Sequence, residues 1–450
     1  MKNIMGDSKK MIEYRDAILN TKSESFCGAK WGNSTLWLNT GETSSCHLPP
    51  VHKISIEQIK NNPSKLHNTD EKIKVRTLMK RGIKPNECEY CWKIESMGPD
   101  YASDRVFKSI QFTNEELQHW YDSPADELIN PPTLEIMFDR VCNFACCYCN
   151  ANFSTTWEHD IKKNGFYDLD THGSGAFKHD GTPNNCYEKI ENPFITAFWK
   201  WWPELCKGLR ELRVTGGEPL LSPSVWKLMD LYIEEKRDFE LSINSNLGVS
   251  SKVIDKFIKK SFDIKNLTLF TSMETVGDHA EYTRDGLDYE KWKLNVETIL
   301  EKSNIQRLTI MMTVNVLCLF KITEFMDQVL EWKAKYGKHK LGLSINFLRF
   351  PAFMSLTILD DDIRERVSLK LDNWYEDNKD DPNIADWEKG DIERLLEYVK
   401  VVETAHEYDT DLDINRKDFK RFFNQYDQRR NKSIEIFPDY FLERFENYDK

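Results

Sequence analysis

The sequence predicts an α/β protein: a partial (β/α)6 barrel, with a small cysteine-rich α+β domain before it and a charged, mainly helical extension after it. Three observations predict this. Between residues 131 and 352, short runs rich in β-branched or large apolar residues alternate with amphipathic stretches, the pattern of a parallel sheet covered by helices. Residues 1–130 are polar, punctuated by Gly, Asn, Ser and Pro, and hold four cysteines, whereas residues 353–450 are rich in charge at helical spacing. The chain's 450 residues also exceed what one ordinary core organises.

Pro131-Pro132 marks the first boundary, because paired prolines resist both helix and central strand. The expected strands follow at Leu134–Phe138, Glu211–Thr215, Phe239–Asn244, Leu267–Ser272, Leu308–Asn315 and Leu341–Phe347. Helical stretches separate them at Phe194–Leu209, Pro223–Lys236, Lys252–Lys260, Tyr289–Glu301 and Ile322–Tyr336. The segment Asn152–Asn192 is longer than an ordinary connection and reads as a lid or an idle insertion. The C-terminal aromatics, Trp374, Tyr375, Trp387, Phe419, Phe422 and Phe423, read as helices docking on the barrel.

A net charge of -12 argues against broad phosphate binding, so nucleic acid is disfavoured as a partner. The N-terminus carries no apolar run of a secretory signal, and no stretch has the apolar length of a bilayer span; a cytoplasmic protein without a membrane partner is expected. In that reducing setting the eleven cysteines read as metal ligands or catalysts, since seven of them, Cys27, Cys46, Cys88, Cys91, Cys142, Cys146 and Cys149, form two groups of candidate ligands.

One group follows the first expected strand. Cys142, Cys146 and Cys149 form C-x3-C-x2-C, compact enough for three thiolates to hold three irons of a [4Fe-4S] cluster and leave the fourth iron open. A zinc knuckle or a buried cysteine cluster is the alternative, although no fourth zinc ligand follows at a familiar spacing. Cys147, inside the motif, reads as packing. At the end of the second strand stands Gly216-Gly217-Glu218-Pro219, where two glycines let backbone approach a ligand; alone it could be a strand-ending turn.

Together these motifs resemble the radical S-adenosylmethionine (SAM) enzymes, whose signature has this cysteine spacing and an aromatic residue before the last cysteine, here Tyr148. The resemblance implies a SAM-binding [4Fe-4S] cluster that splits SAM reductively, giving a 5′-deoxyadenosyl radical that abstracts hydrogen from substrate. It places Tyr148 near adenine and Gly216, Gly217, Glu218 and Pro219 at the methionine amino group. Asn244 and Asn246 would face the ribose, with turn-forming asparagines as the alternative. Ser272 and Glu274, with Arg284 downstream, resemble the family's serine-plus-acid strand end, the acid usually being Asp; Arg284 would meet the SAM carboxylate or be an ordinary surface residue. Thr313, Asn315, Asn346 and Arg349, at later strand ends, would face the same mouth and contact substrate or adenine, with ordinary polar strand ends as the alternative.

The second group is Cys27, Cys46, Cys88 and Cys91, four thiolates able to close a second [4Fe-4S] cluster or a structural zinc site. Cys27-x13-Gly41-x4-Cys46 followed by Cys88-x2-Cys91 resembles the auxiliary-cluster domains called twitch and SPASM. It departs from them in lying before the barrel and in missing the further cysteines of a full SPASM domain. His47 and His52 nearby read as loop residues, and Cys186, Cys206 and Cys318 as isolated. Relatives bearing such domains imply a peptide or protein substrate and a flavodoxin or ferredoxin as reductant. A small nucleoside or heterocycle substrate is the alternative, as is a non-catalytic Fe-S or zinc scaffold or electron carrier.

Overall fold

The first strands are short and mostly buried. In β1 (Asn33–Trp37) residues 34–36 are buried, and a turn at Gly41 returns the chain as β2 (Glu42–Ser44), antiparallel with Thr35 opposite Ser44. Gly41 has φ +69, and a Cβ there would stand 2.1 Å from Cζ of Phe194, so only glycine fits this turn. A short β3 (His52–Lys53) extends the hairpin. The computed structural model describes residues 8–170, 177, 191–401 and 412–449, so Cys186 and most of the segment 171–190 lie outside the described residues.

The chain forms two compact units. The first comprises Met1–Asp139, Asn185–Val214 and Phe239–Leu241. Its strands lie in the order β7-β6-β4-β1-β2-β3, with β4 at Thr133–Met137, β6 at Glu211–Thr215 and β7 at Glu240–Ser245. β1 runs parallel to β4 in continuous register from Asn33↔Thr133 to Trp37↔Met137. The sheet therefore takes strands from both sides of Pro131-Pro132, and the first segment of this unit runs on to Asp139. Phe26, Trp31, Val106, Phe112, Leu117 and Trp120 form its core.

The second unit comprises Arg140–Asn184, Thr215–Asp238 and Ser242–Lys450. Its main strands are ordered β11-β10-β8-β7, with β8 at Leu267–Ser272, β10 at Arg307–Val314 and β11 at Leu341–Phe347; β10 is parallel to both β8 and β11. Strand β7 begins in the first unit and ends in the second. All six expected strands are present within about two residues, each adjacent to the next in chain order. Helices Pro193–Leu205, Pro223–Glu234, Ser251–Ser261, Tyr289–Lys302 and Ile322–Tyr336 connect them. Asn192 and Ser222 stand before Pro193 and Pro223, and Asn192 caps the first of these helices through its side chain.

The C-terminal residues belong to the second unit and are helical at Asp361–Asn378, Asp386–Val401, Leu412–Arg430 and Asp439–Phe445. Their charges have structural work. An edge strand exposes unpaired backbone groups, and along β11 the helix Asp386–Val401 meets them: Leu343 N donates to Glu388 (2.8 Å), Ile345 N to Asp391 (3.1 Å), and Arg394 donates to Ile345 O (2.6 Å). Glu388 is itself buried against Lys333. Among the described residues, no helix is long and apolar enough to cross a membrane.

Candidate functional site

The loop after β4 is shaped by hydrogen bonds to its own carbonyls. A helix at Thr155–Asn164, within the long connection Asn152–Asn192, presents its first turn to the loop. Ser154 Oγ donates to Phe144 O (2.7 Å), Thr156 Oγ1 to Cys142 O (2.6 Å) and Trp157 Nε1 to Cys146 O (2.9 Å), while Cys149 N donates to Cys146 O (2.9 Å). Buried Arg140 ties Ala151 O and Glu158 to the same loop. A two-residue ladder, β5 (Ala145–Cys146) against β9 (Arg284–Asp285), sets Cys146 opposite Arg284. Gly286, with φ +97, follows where a Cβ would lie 2.7 Å from Asn143 O. The helix Leu412–Arg430 braces this assembly: Arg430 lies 4.7 Å from the Trp157 ring centroid and donates to Asp285 (3.1 Å).

Cys142, Cys146 and Cys149 are half-buried and Cys147 is buried, consistent with packing for the fourth. Donors already face two of the three sulfurs: Phe144 N at 3.4 Å and Asn246 Nδ2 at 3.8 Å from Cys142 Sγ, and Arg284 Nη1 at 3.7 Å from Cys146 Sγ. Burial pushes all three thiols up, Cys142 to about 12, so the thiolates need a cationic partner to form. Hydrogen bonds to sulfur are a means by which proteins tune a thiolate-bound cluster, and this donor set fits one. Among the described residues, no three His, Cys, Asp or Glu side chains are grouped to hold a single metal ion; a four-iron cluster sets its ligand sulfurs at separate corners, wider than one ion does.

Gly216 and Gly217 end β6 against this loop. Gly216 has φ +136, and a Cβ on Gly217 would stand 2.4 Å from Val141 O and 2.5 Å from Arg140 O. Glu218 N donates to Val141 O at 2.6 Å. The Glu218 side chain is buried and used internally: it accepts from Leu220 N (2.9 Å), Ser245 Oγ (2.7 Å) and Asn246 N (2.6 Å), strapping the end of β6 to that of β7. Three donors favour its anion, yet burial dominates and pushes the carboxyl up to about 7. Pro219 is buried at the start of a short 3-10 turn.

Asn246 continues the strap. Its Nδ2 donates to Asn143 Oδ1 (2.9 Å) and its Oδ1 accepts from Gly248 N (2.8 Å), while Asn143 Nδ2 donates to Gly248 O (3.1 Å). Asn244 Nδ2 lies 3.8 Å from Met311 Sδ, and Ser272, half-buried, ends β8 opposite Met311. Neither Asn143 nor Ser245 carries a role in the sequence reading; both hold the loop through contacts that no local pattern announces.

Glu274 and Arg284 are 0% and 4% exposed. Glu274 accepts from Tyr148 Oη (2.8 Å), Thr313 N (3.3 Å) and Arg284 Nε (2.9 Å), with Arg284 Nη2 closing a second contact. Arg284 also lies 5.5 Å from the Tyr148 ring centroid. The carboxylate that Arg284 meets is thus Glu274, since a buried guanidinium requires a counter-charge. Tyr148, Glu274 and Arg284 form one rigid wall beside Cys146. Asn315 caps the turn Val316–Lys321 through Leu317 N (3.0 Å) and Cys318 N (3.3 Å), and Asn346 is exposed.

In the first unit, Cys27, Cys46, Cys88 and Cys91 line one cavity with Lys30 and Arg105. Cys88 and Cys91 open the helix Glu89–Ser96; Cys27 precedes the turn Ala29–Gly32; Cys46 follows β2. Burial pushes Cys27 to about 12 and Cys88 to about 11. Lys30, buried beside Cys27 and Cys88, pairs with Glu87, which also meets His52 Nε2 at 2.9 Å. His47 is exposed. Four thiols from separate segments converging beside an ammonium fit a centre closed by four thiolates.

No family model matches the sequence, and no curated protein does. Among solved structures the chain is similar to Streptococcus suis SuiB, at 14% identity and a TM-score of 0.34 over 69% of this chain and 63% of that one. Crystal structures of SuiB bound to S-adenosylmethionine and to its precursor peptide SuiA each align at 13% identity over 76% of this chain and 68% of that one, with TM-scores of 0.36 and 0.35. TYW1 with a lysine-pyruvate adduct aligns at 16% identity and a TM-score of 0.27, over 54% of this chain and 71% of that one. The chain spans less than two thirds of the first SuiB structure's length. Likenesses this distant leave the assignment to the residues themselves.

Proposed function

We propose that the second unit is the catalytic body of a radical SAM enzyme, with an auxiliary iron-sulfur cluster in the first unit and a peptide or protein as substrate. The observation that carries this reading is the Cys142–Cys149 loop, held at the end of β4 with N–H and guanidinium donors on its sulfurs and backed by the bare backbone of Gly216-Gly217. When bound, a reduced [4Fe-4S] cluster supplies the electron that cleaves SAM to a 5′-deoxyadenosyl radical able to abstract hydrogen from unactivated carbon.

Cys142, Cys146 and Cys149 would hold that cluster, and the donors from Phe144, Asn246 and Arg284 would offset charge on its sulfurs. Gly216 and Gly217 offer backbone to the methionine end of SAM, and Glu218 keeps that backbone in place by its strap to β7. Asn244, Asn246 and Ser272 supply polar strand ends for the nucleoside. Tyr148, locked by Glu274 and Arg284, gives adenine a fixed neighbour. The peptide reading is supported by the resemblance of Cys27-x13-Gly41-x4-Cys46 and Cys88-x2-Cys91 to auxiliary-cluster domains, and a flavodoxin or ferredoxin in the cytoplasm is the reductant it implies.

The test is 5′-deoxyadenosine formed from SAM by the anaerobically reconstituted, chemically reduced protein, beside a C142A/C146A/C149A variant. Product from the parent alone is expected. No product from either, at full iron content, would overturn the reading in favour of a scaffold or carrier.

A further inference from the structure

The helix Asp70–Lys80 carries two cations into the interior of the first unit: Lys72 is 1% exposed and Arg76 0%. Every acceptor they meet is neutral. Lys72 Nζ donates to Thr43 Oγ1 (2.8 Å), Ser44 O (3.1 Å) and Ser34 Oγ (3.2 Å), and Arg76 donates to Lys30 O (2.9 Å) and Asn68 Oδ1 (3.0 Å). Between them His67, fully buried, is held neutral by burial and by both cations; Lys72 Nζ lies 3.3 Å from its Nδ1. Of the other buried cations of this unit, Lys30 pairs with Glu87 and Arg105 with Glu95 (2.7 Å), while Lys22, nearer the surface at 7% exposed, donates to Ile18 O and Asn114 Oδ1 (both 3.0 Å). Among the described residues, Lys72 and Arg76 form no ion pair.

Burial, with Arg76 beside it, holds the Lys72 amine well below its ordinary range, and burial brings the Arg76 guanidinium down to about 9, so the charged form of each calls for an anion. Their contacts lead to the segments that line the four-cysteine cavity. Arg76 bonds the backbone of Lys30, whose side chain lines that cavity, and Lys72 bonds the backbone of Ser44, two residues before Cys46. Met79, further along the same helix, also lines the cavity. Ser44 and Ser45 hold buried hydroxyls with no hydrogen-bond partner. A [4Fe-4S] core with four thiolates carries a net charge of about −2 when oxidised and about −3 when reduced, and net charge is one of the terms that set its potential.

From this charge balance we infer that Lys72 and Arg76 are the counter-charges of the cluster held by Cys27, Cys46, Cys88 and Cys91, and that they raise its reduction potential. The inference rests on the auxiliary-cluster part of the proposed function. The electron concerned comes from a one-electron donor of the flavodoxin or ferredoxin class and lowers the core from 2+ to 1+; the two fixed charges favour that added negative charge, and no bond is made or broken.

The test uses the full chain bearing C142A/C146A/C149A, so that only the first unit loads a cluster, followed by a redox titration monitored by electron paramagnetic resonance. Lys72→Met and Arg76→Met are expected each to shift the one-electron equilibrium about tenfold toward the oxidised state, about 59 mV for one electron. Arg76→Lys keeps the charge and should keep the potential. Thermal melting with and without the cluster gives a second readout: the gain on loading should be smaller in both Met variants than in the parent, whatever each does to the apo chain. Unchanged potentials and gains with iron retained would overturn the inference alone. A parent that binds zinc, or no metal, would overturn the auxiliary-cluster reading with it.

Discussion

The two cysteine sites answer the problem of buried charge in opposite ways. In the second unit, three thiols lie within eight residues on one loop, and the titratable group strapping that loop's support is an acid, Glu218, buried with three neutral donors and pushed up to about 7. In the first unit, four thiols arrive from separate segments, and the charges left without a partner are cations, Lys72 and Arg76. A three-thiolate cluster keeps an iron open for a small molecule, so its surroundings must be shaped more than charged. A four-thiolate cluster has no open iron, and its surroundings can act on it only through their field and their hydrogen bonds.

The largest expected effects come from ligand removal, which should separate the sites cleanly. Cys146→Ala should bring 5′-deoxyadenosine formation to background. Cys88→Ala should remove about four of about eight irons and lower peptide turnover, yet leave SAM cleavage by the reduced protein within a few-fold of the parent. Iron analysis and product chromatography on the same preparations check both. A Cys88→Ala protein with normal iron and full turnover would break the comparison, for the first unit would then hold no working centre.

Gly217→Ala is the next largest. The added Cβ meets two backbone carbonyls at 2.4 and 2.5 Å, and neither is the free end of a side chain that can swing away. A loss of about 3 kcal/mol or more is expected, at the upper end of overpacking, with SAM affinity down at least about tenfold as the β6 turn moves off the cysteine loop. Isothermal titration of SAM and chemical denaturation read the two effects. Gly41→Ala in the hairpin of the first unit meets the Phe194 side chain instead and should leave SAM affinity near the parent's, which sharpens the contrast between a structural glycine and one at the site.

The six strands from Leu134 to Phe347 were legible because each is a short run of β-branched or large apolar residues between helical stretches. The cysteine spacings and the two glycines were legible because their chemistry lies in consecutive residues. What escaped is non-local or too short for periodicity. β1 reads Asn-Ser-Thr-Leu-Trp, with only its end apolar, and its place beside β4 depends on residues a hundred positions away. β5 and β9 are two residues each, yet they fix Cys146 opposite Arg284. Arg284 was expected at a ligand carboxylate because its type suits one, and no sequence pattern shows that Glu274 already occupies it. The charges of the helix Asp386–Val401 show helical spacing in the sequence, but only the edge of β11 shows what they bond.

The smallest expected effect concerns Glu218 and separates its strap from the cation pair of the other unit by sign. Its carboxyl is raised from the usual 4.5 to about 7 because burial outweighs its three donors. Between those values the folded chain keeps a proton that the unfolded chain releases. The stability this group contributes is therefore complete below about pH 4.5 and is lost as pH rises through about 7. Glu218→Gln cannot ionise, so the stability difference between parent and variant should shift against the parent across this window, by an amount on the order of 1–3 kcal/mol. Denaturation midpoints of both proteins between pH 4.5 and 8 read that difference directly. A difference that stays constant would mean the strap is held as a permanent anion, and that the second unit, like the first, carries a buried charge awaiting a partner.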